Sequence, residues 1–200
     1  MEGPVIKTTE RHSPDEAVND WRTALRYLES GNKRYAENRP LDRSLDAEER
    51  ELLSKEQKPF AAVLTCSDSR VAPEVFFDQR PGDIFVVRNA GGIADAASLG
   101  SIEFAACHLK TPLIVVVGHS DCGAVTGAFE GGEYEGNLRA VIGGIRSAVE
   151  DCETLEAAVH ANTRSVVRRI CENETVRRLN AVTLGAYYDI ATGIVTFTED

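Results

Sequence analysis

The chain has 200 residues, 42% of them hydrophobic and 27% charged, proportions that exclude a fibre or a disordered tail and suit one unit with a sizeable core. Lys plus Arg total 22 against 32 Asp plus Glu, a net charge of −10, so nothing electrostatic favours a nucleic acid or an anionic membrane as partner. The longest apolar run, Leu113 to Val117, is too short to span a bilayer, and Met1-Glu2-Gly3-Pro4-Val5 lacks the basic-then-apolar order of a secretory leader; a cytoplasmic protein is expected.

Residues 1–13 show no periodicity and read as a loose terminus. From Pro14 the pattern turns helical. Asp15 can cap, and Val18, Trp21, Leu25 and Leu28 recur at three- and four-residue steps. Gly31-Asn32 interrupts the stripe, Tyr35 carries it to about Pro40, and a charged helix follows from about Leu45 to Lys55. Residues 1–56 thus form a helical arm without a strand, whose apolar face must lie on the chain's own core or on a partner subunit. The arm is expected to cross to the partner, making the protein a homodimer or a higher homo-oligomer. Residues 57–200 form the α/β core of the same single domain. Phe60–Thr65, Ile84–Val87 and Leu113–Val117 are continuous β-prone runs, as in strands buried on both faces of a parallel sheet. A short helix opening at Pro73 and a longer one from about Leu99 to Leu109 lie between them. This order predicts an α/β fold, a mostly parallel β-sheet flanked by helices. After Cys122 come a Gly131-Gly132 loop and helices over about Asn137–Cys152 and Leu155–Leu179. Ala181–Tyr188 and Ile194–Phe197 then read as a hairpin at a sheet edge.

Five cysteines, an odd number without a leader, argue against a disulfide framework and leave reduced thiols as ligands, nucleophiles or small core residues. Two clusters stand out, each directly after a predicted buried strand: Cys66-Ser67-Asp68-Ser69-Arg70 and Gly118-His119-Ser120-Asp121-Cys122-Gly123. Ligands bind beyond the carboxyl ends of strands in open α/β sheets, so both clusters are expected on one edge. Two thiolates and an imidazole suit Zn²⁺. His119 and Cys122 can be aimed at one point by a tight turn, and Cys66 makes a third ligand, which leaves one tetrahedral position open as catalytic zinc requires. Asp68 and Arg70 can form a bidentate pair that orients a water on the metal; an Asp68 released from Arg70 is a possible fourth ligand that closes the site. Cys107, Cys152 and Cys171 read as core or partly exposed thiols, and His12, His108 and His160 as surface or packing residues.

These two clusters, together with Gly82-Asp83-Ile84-Phe85-Val86-Val87-Arg88-Asn89-Ala90-Gly91, resemble the β-class carbonic anhydrases, and the resemblance runs from about Leu25 through Gly193. It implies Cys66, His119 and Cys122 as zinc ligands and Asp68 with Arg70 as the catalytic dyad. It also implies Gln57 as a hydrogen-bond partner of substrate, Phe85 as an apolar pocket wall and Phe104 at a further pocket position; Val63 is expected to complete the apolar wall. In the family the pocket lies at a subunit interface and the amino-terminal helices embrace the neighbour. Three positions depart from the family pattern. Gly92 stands where asparagine is common, Phe104 where tyrosine is frequent, and Thr183–Tyr188 replaces a His-Gly-Trp-like stretch. Val63 stands where members with a non-catalytic bicarbonate site carry tryptophan, so that regulation is not expected. The favoured activity is hydration of carbon dioxide to bicarbonate by a metal-bound hydroxide. A related zinc hydrolase of carbonyl sulfide or carbon disulfide, and a metal-free cysteine hydrolase using Cys66 or Cys122 with His119, are the alternatives.

Overall fold

A computed structural model describes residues 12, 17–179 and 181–198. The opening helix α1 runs over Trp21–Ala36, capped by Asp20, whose carboxylate accepts the Thr23 amide at 3.0 Å. Of the expected earlier start, residues 13–16 lie outside the described residues. Gly31-Asn32 does not interrupt the helix. Both are buried inside it and make its closest approach to the core. Asn32 Nδ2 donates to the carbonyls of Phe76 and Gly193, and its Oδ1 accepts the Val195 amide. A Cβ on Gly31 would stand 1.8 Å from the Phe77 carbonyl oxygen, which is backbone and cannot swing aside. Gly31→Ala is therefore expected to destabilise the fold by about 3 kcal/mol. Thermal unfolding should show a Tm about 10 °C lower; an unchanged Tm would mean that α1 is free to lift.

Helix α2, Ala47–Leu53, opens on a capping box of Asp46 and Glu49. Strand β1, Ala61–Cys66, follows, then the single turn α3, Pro73–Phe76. Next come strand β2, Ile84–Asn89, helix α4, Ala96–Cys107, and strand β3, Leu113–His119. Helix α5, Gly123–Phe129, occupies a stretch read only as the approach to a glycine loop; two glycines in seven residues hide its periodicity. Helices α6, Leu138–Val149, and α7, Leu155–Glu172, fall as expected. The anticipated run to Leu179 breaks at Asn173, whose Oδ1 accepts the Thr175 and Val176 amides and starts α8, Glu174–Arg177. Strands β4, Val182–Tyr188, and β5, Val195–Thr198, form the edge hairpin.

The five strands lie in the order β2-β1-β3-β4-β5, all parallel except β5. Alternation sorts β1 and β3 to two faces. Ala61, Val63, Leu113, Val115 and Val117 pack under α1 and α3 with Ala24, Leu28 and Phe76. Ala62, Leu64, Ile114 and Val116 pack under α4 and α7 with Ile102, Ala105 and Ile170. From β1 the chain goes outward to β2 and then returns to the other side as β3. The crevice beyond the carboxyl ends of β1 and β3 is thus a topological switch point, where α/β sheets bind ligands. No helix among the described residues is long and apolar enough to cross a membrane.

Candidate metal centre

Cys66 is the last residue of β1 and His119 the last of β3, so parallel pairing of the two strands sets them side by side at that crevice. Beyond His119 the chain turns through Asp121 at φ 54, a left-handed conformation that a short polar residue tolerates. This brings Cys122, at the head of α5, back toward the strand ends. One ligand atom from each of Cys66, His119 and Cys122 lies within 4.8 Å of the others, and all three residues are buried.

The two sulfurs are 3.9 Å apart. A disulfide would need about 2.05 Å, whereas two thiolates on a tetrahedral zinc with bonds of about 2.3 Å stand about 3.8 Å apart. His119 Nδ1 donates to the Ser120 carbonyl at 2.9 Å, which fixes the proton there and leaves a lone pair on Nε2. Nε2 is buried without a hydrogen-bond partner, a costly arrangement for a structure with no metal to receive it. Ser120 is itself held: its amide donates to the Tyr188 carbonyl and its hydroxyl accepts the Ile190 amide, both at 3.0 Å. The residues therefore fit a divalent metal of borderline softness.

The Cys66 sulfur also accepts the backbone amides of Asp68 at 3.4 Å and Gly91 at 3.3 Å. The thiol of Cys122, with help from these amides, draws the Cys66 thiol down into the thiolate range against the opposing effect of burial. The neighbouring Cys66 sulfur and burial push the Cys122 thiol up, so a cation bound between the two sulfurs must displace protons from the pair.

Asp68 and Arg70 pair as expected. Asp68 Oδ1 accepts the Arg70 amide and Nε, each at 2.9 Å, and Oδ2 accepts Nη2 at 2.7 Å. The guanidinium fork holds the Asp68 carboxyl well below the usual carboxylate range, although partial burial opposes this. Arg70 also reaches the Asp121 carbonyl at 3.3 Å, tying the first cluster to the second.

The pocket residues are placed differently. Gln57 is exposed and lies just before the amino end of β1, the strand whose carboxyl end carries Cys66. Phe85 pairs with Ala62 near the amino end of β2, and its ring lies 6.2 Å from that of Phe104, which is 45% exposed on α4. These three sit toward the opposite end of the sheet from their own chain's Cys66. Val63 is fully buried under α1 and α3, on the sheet face away from Ala62 and Leu64, so it packs the core and walls no pocket in this chain. Of the three histidines set aside, His12 is indeed a packing residue, buried with Nδ1 3.0 Å from Asp83 Oδ1.

A carbonic anhydrase family model matches residues 61–195, two thirds of the chain and all of this site. The chain belongs to the β-class carbonic anhydrase family. It is 53% identical over 102 residues to a carbonic anhydrase of Mycolicibacterium smegmatis, covering 51% of this chain and 50% of that protein. It is also 50% identical over 105 residues to carbonic anhydrase 2 of Mycobacterium tuberculosis, covering 52% and 51%. The chain spans about half the length of these mycobacterial relatives. Among solved structures it resembles the β-carbonic anhydrase CcaA, at 29% identity and TM-score 0.68 over 75% of this chain and 84% of that one. A tetrameric β-carbonic anhydrase of Sordaria macrospora, at 24% identity, shares the fold with TM-score 0.72 over 92% of this chain and 98% of that one.

Within this member of the family the sequence reading missed Arg88, which belongs to the motif but was given no role. Its Nε donates to the Cys66 carbonyl at 3.2 Å and its Nη2 to the Asp68 carbonyl at 2.8 Å, so one fork clamps the turn between ligand and dyad. Asn89 was missed in the same way. Its side chain bridges the Ile93 amide, the Ile93 carbonyl and Ser98 Oγ, each at 2.8 Å, and shapes the turn that carries the Gly91 amide. The departure at Gly92 now has a reason. Its φ is 59, in the left-handed region where glycine is freest and asparagine is also tolerated.

Proposed function

We propose that this chain catalyses the reversible hydration of carbon dioxide to bicarbonate with Zn²⁺ held by Cys66, His119 and Cys122. The observation that carries the proposal is the convergence of these three buried ligand atoms beside an Asp68–Arg70 pair at the switch point of the sheet. Bound there, zinc supplies an attacking group at neutral pH by lowering the pKa of coordinated water from about 16 to about 7. Asp68 Oδ2, with a single bond from Arg70, keeps a lone pair to accept a proton-bearing attacker and aim its free electron pair at carbon. Arg70 keeps the same carboxylate from turning onto the cation as a fourth ligand. Arg88 and the Gly91 amide hold the Cys66 end of the site in place.

Gln57, Phe85 and Phe104 serve the pocket of a second copy, where the Gln57 amide orients carbon dioxide and the two rings exclude water. Their placement far from their own Cys66 supports a homodimer or higher oligomer, as does the tetrameric relative of the same fold. The arm, in its described residues 17–56, packs on that second copy while resting Ala24 and Leu28 on its own sheet. Trp21, Leu25, Ile194 and Phe197 line an apolar groove of about 690 Å³ that such packing would cover. Five unpaired cysteines support a reducing, cytoplasmic location.

The test is stopped-flow carbon dioxide hydration beside carbonyl sulfide hydrolysis on zinc-loaded protein, with elemental analysis and light scattering on the same sample. One zinc per chain, faster carbon dioxide turnover and a multimer at micromolar concentration are expected. Preferential hydrolysis of carbonyl sulfide would reassign the substrate. Activity in metal-free protein would point to a cysteine hydrolase instead.

A further inference from the structure

The apolar stripe that α7 lays on the core is interrupted at Asn162 and Thr163. Thr163 satisfies itself within the helix, its hydroxyl donating to the Val159 carbonyl at 2.9 Å. Asn162 is 5% exposed and reaches out of the helix, its Nδ2 donating to the Gly91 carbonyl at 3.0 Å. An unbonded amide buried among Ala158, Val159 and Val166 would cost about 1–3 kcal/mol, so the hydrogen bond across to Gly91 is what makes this residue tolerable here. Gly91 lies on the β2–α4 connection, far from α7 in sequence, and its amide is one of the two backbone donors on the Cys66 sulfur.

Gly91 has little freedom of its own to keep that aim. At φ 77 it takes a conformation open to glycine, and a Cβ there would stand 2.6 Å from Ile145 Cδ1 and 3.2 Å from the Ala124 Cβ. Its N–H and its carbonyl belong to successive peptide planes that meet at the Gly91 Cα, so a hydrogen bond that holds the carbonyl steadies the corner from which the N–H is aimed. The Asn89 side chain ties down Ile93, two residues on. The Gly91 carbonyl itself is held by Asn162.

We infer that Asn162 is a positioning residue for the metal centre: its amide holds the Gly91 carbonyl and so keeps the Gly91 N–H aimed at the Cys66 sulfur. The inference rests on the zinc reading proposed above. An N–H donor on a ligand sulfur holds that sulfur and its lone pairs in place for the metal, and outer partners of this kind are worth about 10- to 100-fold in metal affinity. Asn162 would thus set how strongly Cys66 binds the metal from a position that touches neither metal nor substrate.

The experiment compares wild type with Asn162→Ala, Asn162→Leu and Val167→Ala. Leucine fills the asparagine's volume without its donor. Val167 lies on the same helix, packed toward Gly185 of β4, and serves as the control for a loosened α7. Zinc affinity is read by chelator competition, and the cysteine-to-cobalt charge-transfer band by absorbance after full cobalt substitution. Either Asn162 variant that folds is expected to bind zinc about tenfold more weakly and to shift the cobalt band, while Val167→Ala changes neither. Asn162 variants matching Val167→Ala in both measurements would overturn the inference. In the wild-type protein the Gly91 amide is expected to exchange slowly with solvent; exchange at the rate of an exposed loop would overturn it without any variant. Wild-type protein that takes up no metal would overturn the zinc reading itself, and this inference with it.

Discussion

Arg70→Ala is expected to keep its full complement of zinc and to lose carbon dioxide hydration by about 100- to 10,000-fold, the range associated with a misplaced acid–base group. The reason is position rather than charge. Asp68 has an ordinary value of 3.8 and lies lower still beside Arg70. Even with the guanidinium gone, a carboxyl near its ordinary value is ionised at pH 7, so the variant would not lack an anion. What it would lack is the fork: two of the three bonds on the Asp68 carboxylate come from the Arg70 side chain, and only the backbone amide of residue 70 would remain. A carboxylate on one tether beside a cation turns toward it. The role of Arg70 is therefore to keep Asp68 pointed away from the metal, as the sequence reading of a possible fourth ligand anticipates, and not to keep it ionised. Arg70→Lys separates the two, since lysine restores charge without the planar fork and should recover only part of the activity. Arg70 is half exposed, so little folding stability rides on the pair and a loss of activity will not be confused with unfolding. Near-normal turnover in Arg70→Ala would reduce the dyad to a surface ion pair.

The parts legible in the sequence are those written in local pattern. Cys66 and His119 are announced by the apolar runs they terminate, because a strand buried on both faces reads as continuous hydrophobicity and its end is where polarity returns. Cys122 is placed by a three-residue spacing, and Asp68 with Arg70 by alternation. Contacts that join distant elements had no such signature. Gly31-Asn32 looks like a helix breaker, and only the proximity of Phe77 and Gly193 makes it an anchor. Nothing along α7 distinguishes Asn162 from any polar residue in a helix until the fold sets it against Gly91. The distance from Gln57 to Cys66, by contrast, could have been counted. Four residues of approach and a six-residue strand run the wrong way for both to serve one pocket, and that arithmetic already argues for a second copy.

His119→Ala is expected to leave the protein with less than a tenth of its zinc after dialysis and with no measurable hydration activity. The imidazole is the one neutral ligand of three, and its Nε2 is otherwise buried without a partner, so nothing else in the site takes over its role. Zinc held by protein ligands at neutral pH is worth about 10–16 kcal/mol in small folded sites, so losing one ligand of three removes on the order of 3–5 kcal/mol and weakens binding several-hundred-fold or more. His119 is 1% exposed, and alanine leaves a cavity that lowers stability independently of the metal. His119→Gln keeps most of the volume, and Cys66→Ser changes one atom; both should lose zinc while circular dichroism shows the α/β fold intact. Acid should act in the same direction. The metal needs both sulfurs deprotonated, and protons compete with it for them; the Cys122 thiol in particular is pushed up by the Cys66 sulfur and by burial. Affinity should therefore fall as pH falls, with zinc released before the fold is lost. Undiminished zinc by elemental analysis in His119→Ala would show that the metal, if present, sits elsewhere and that the convergence of these three side chains has another purpose.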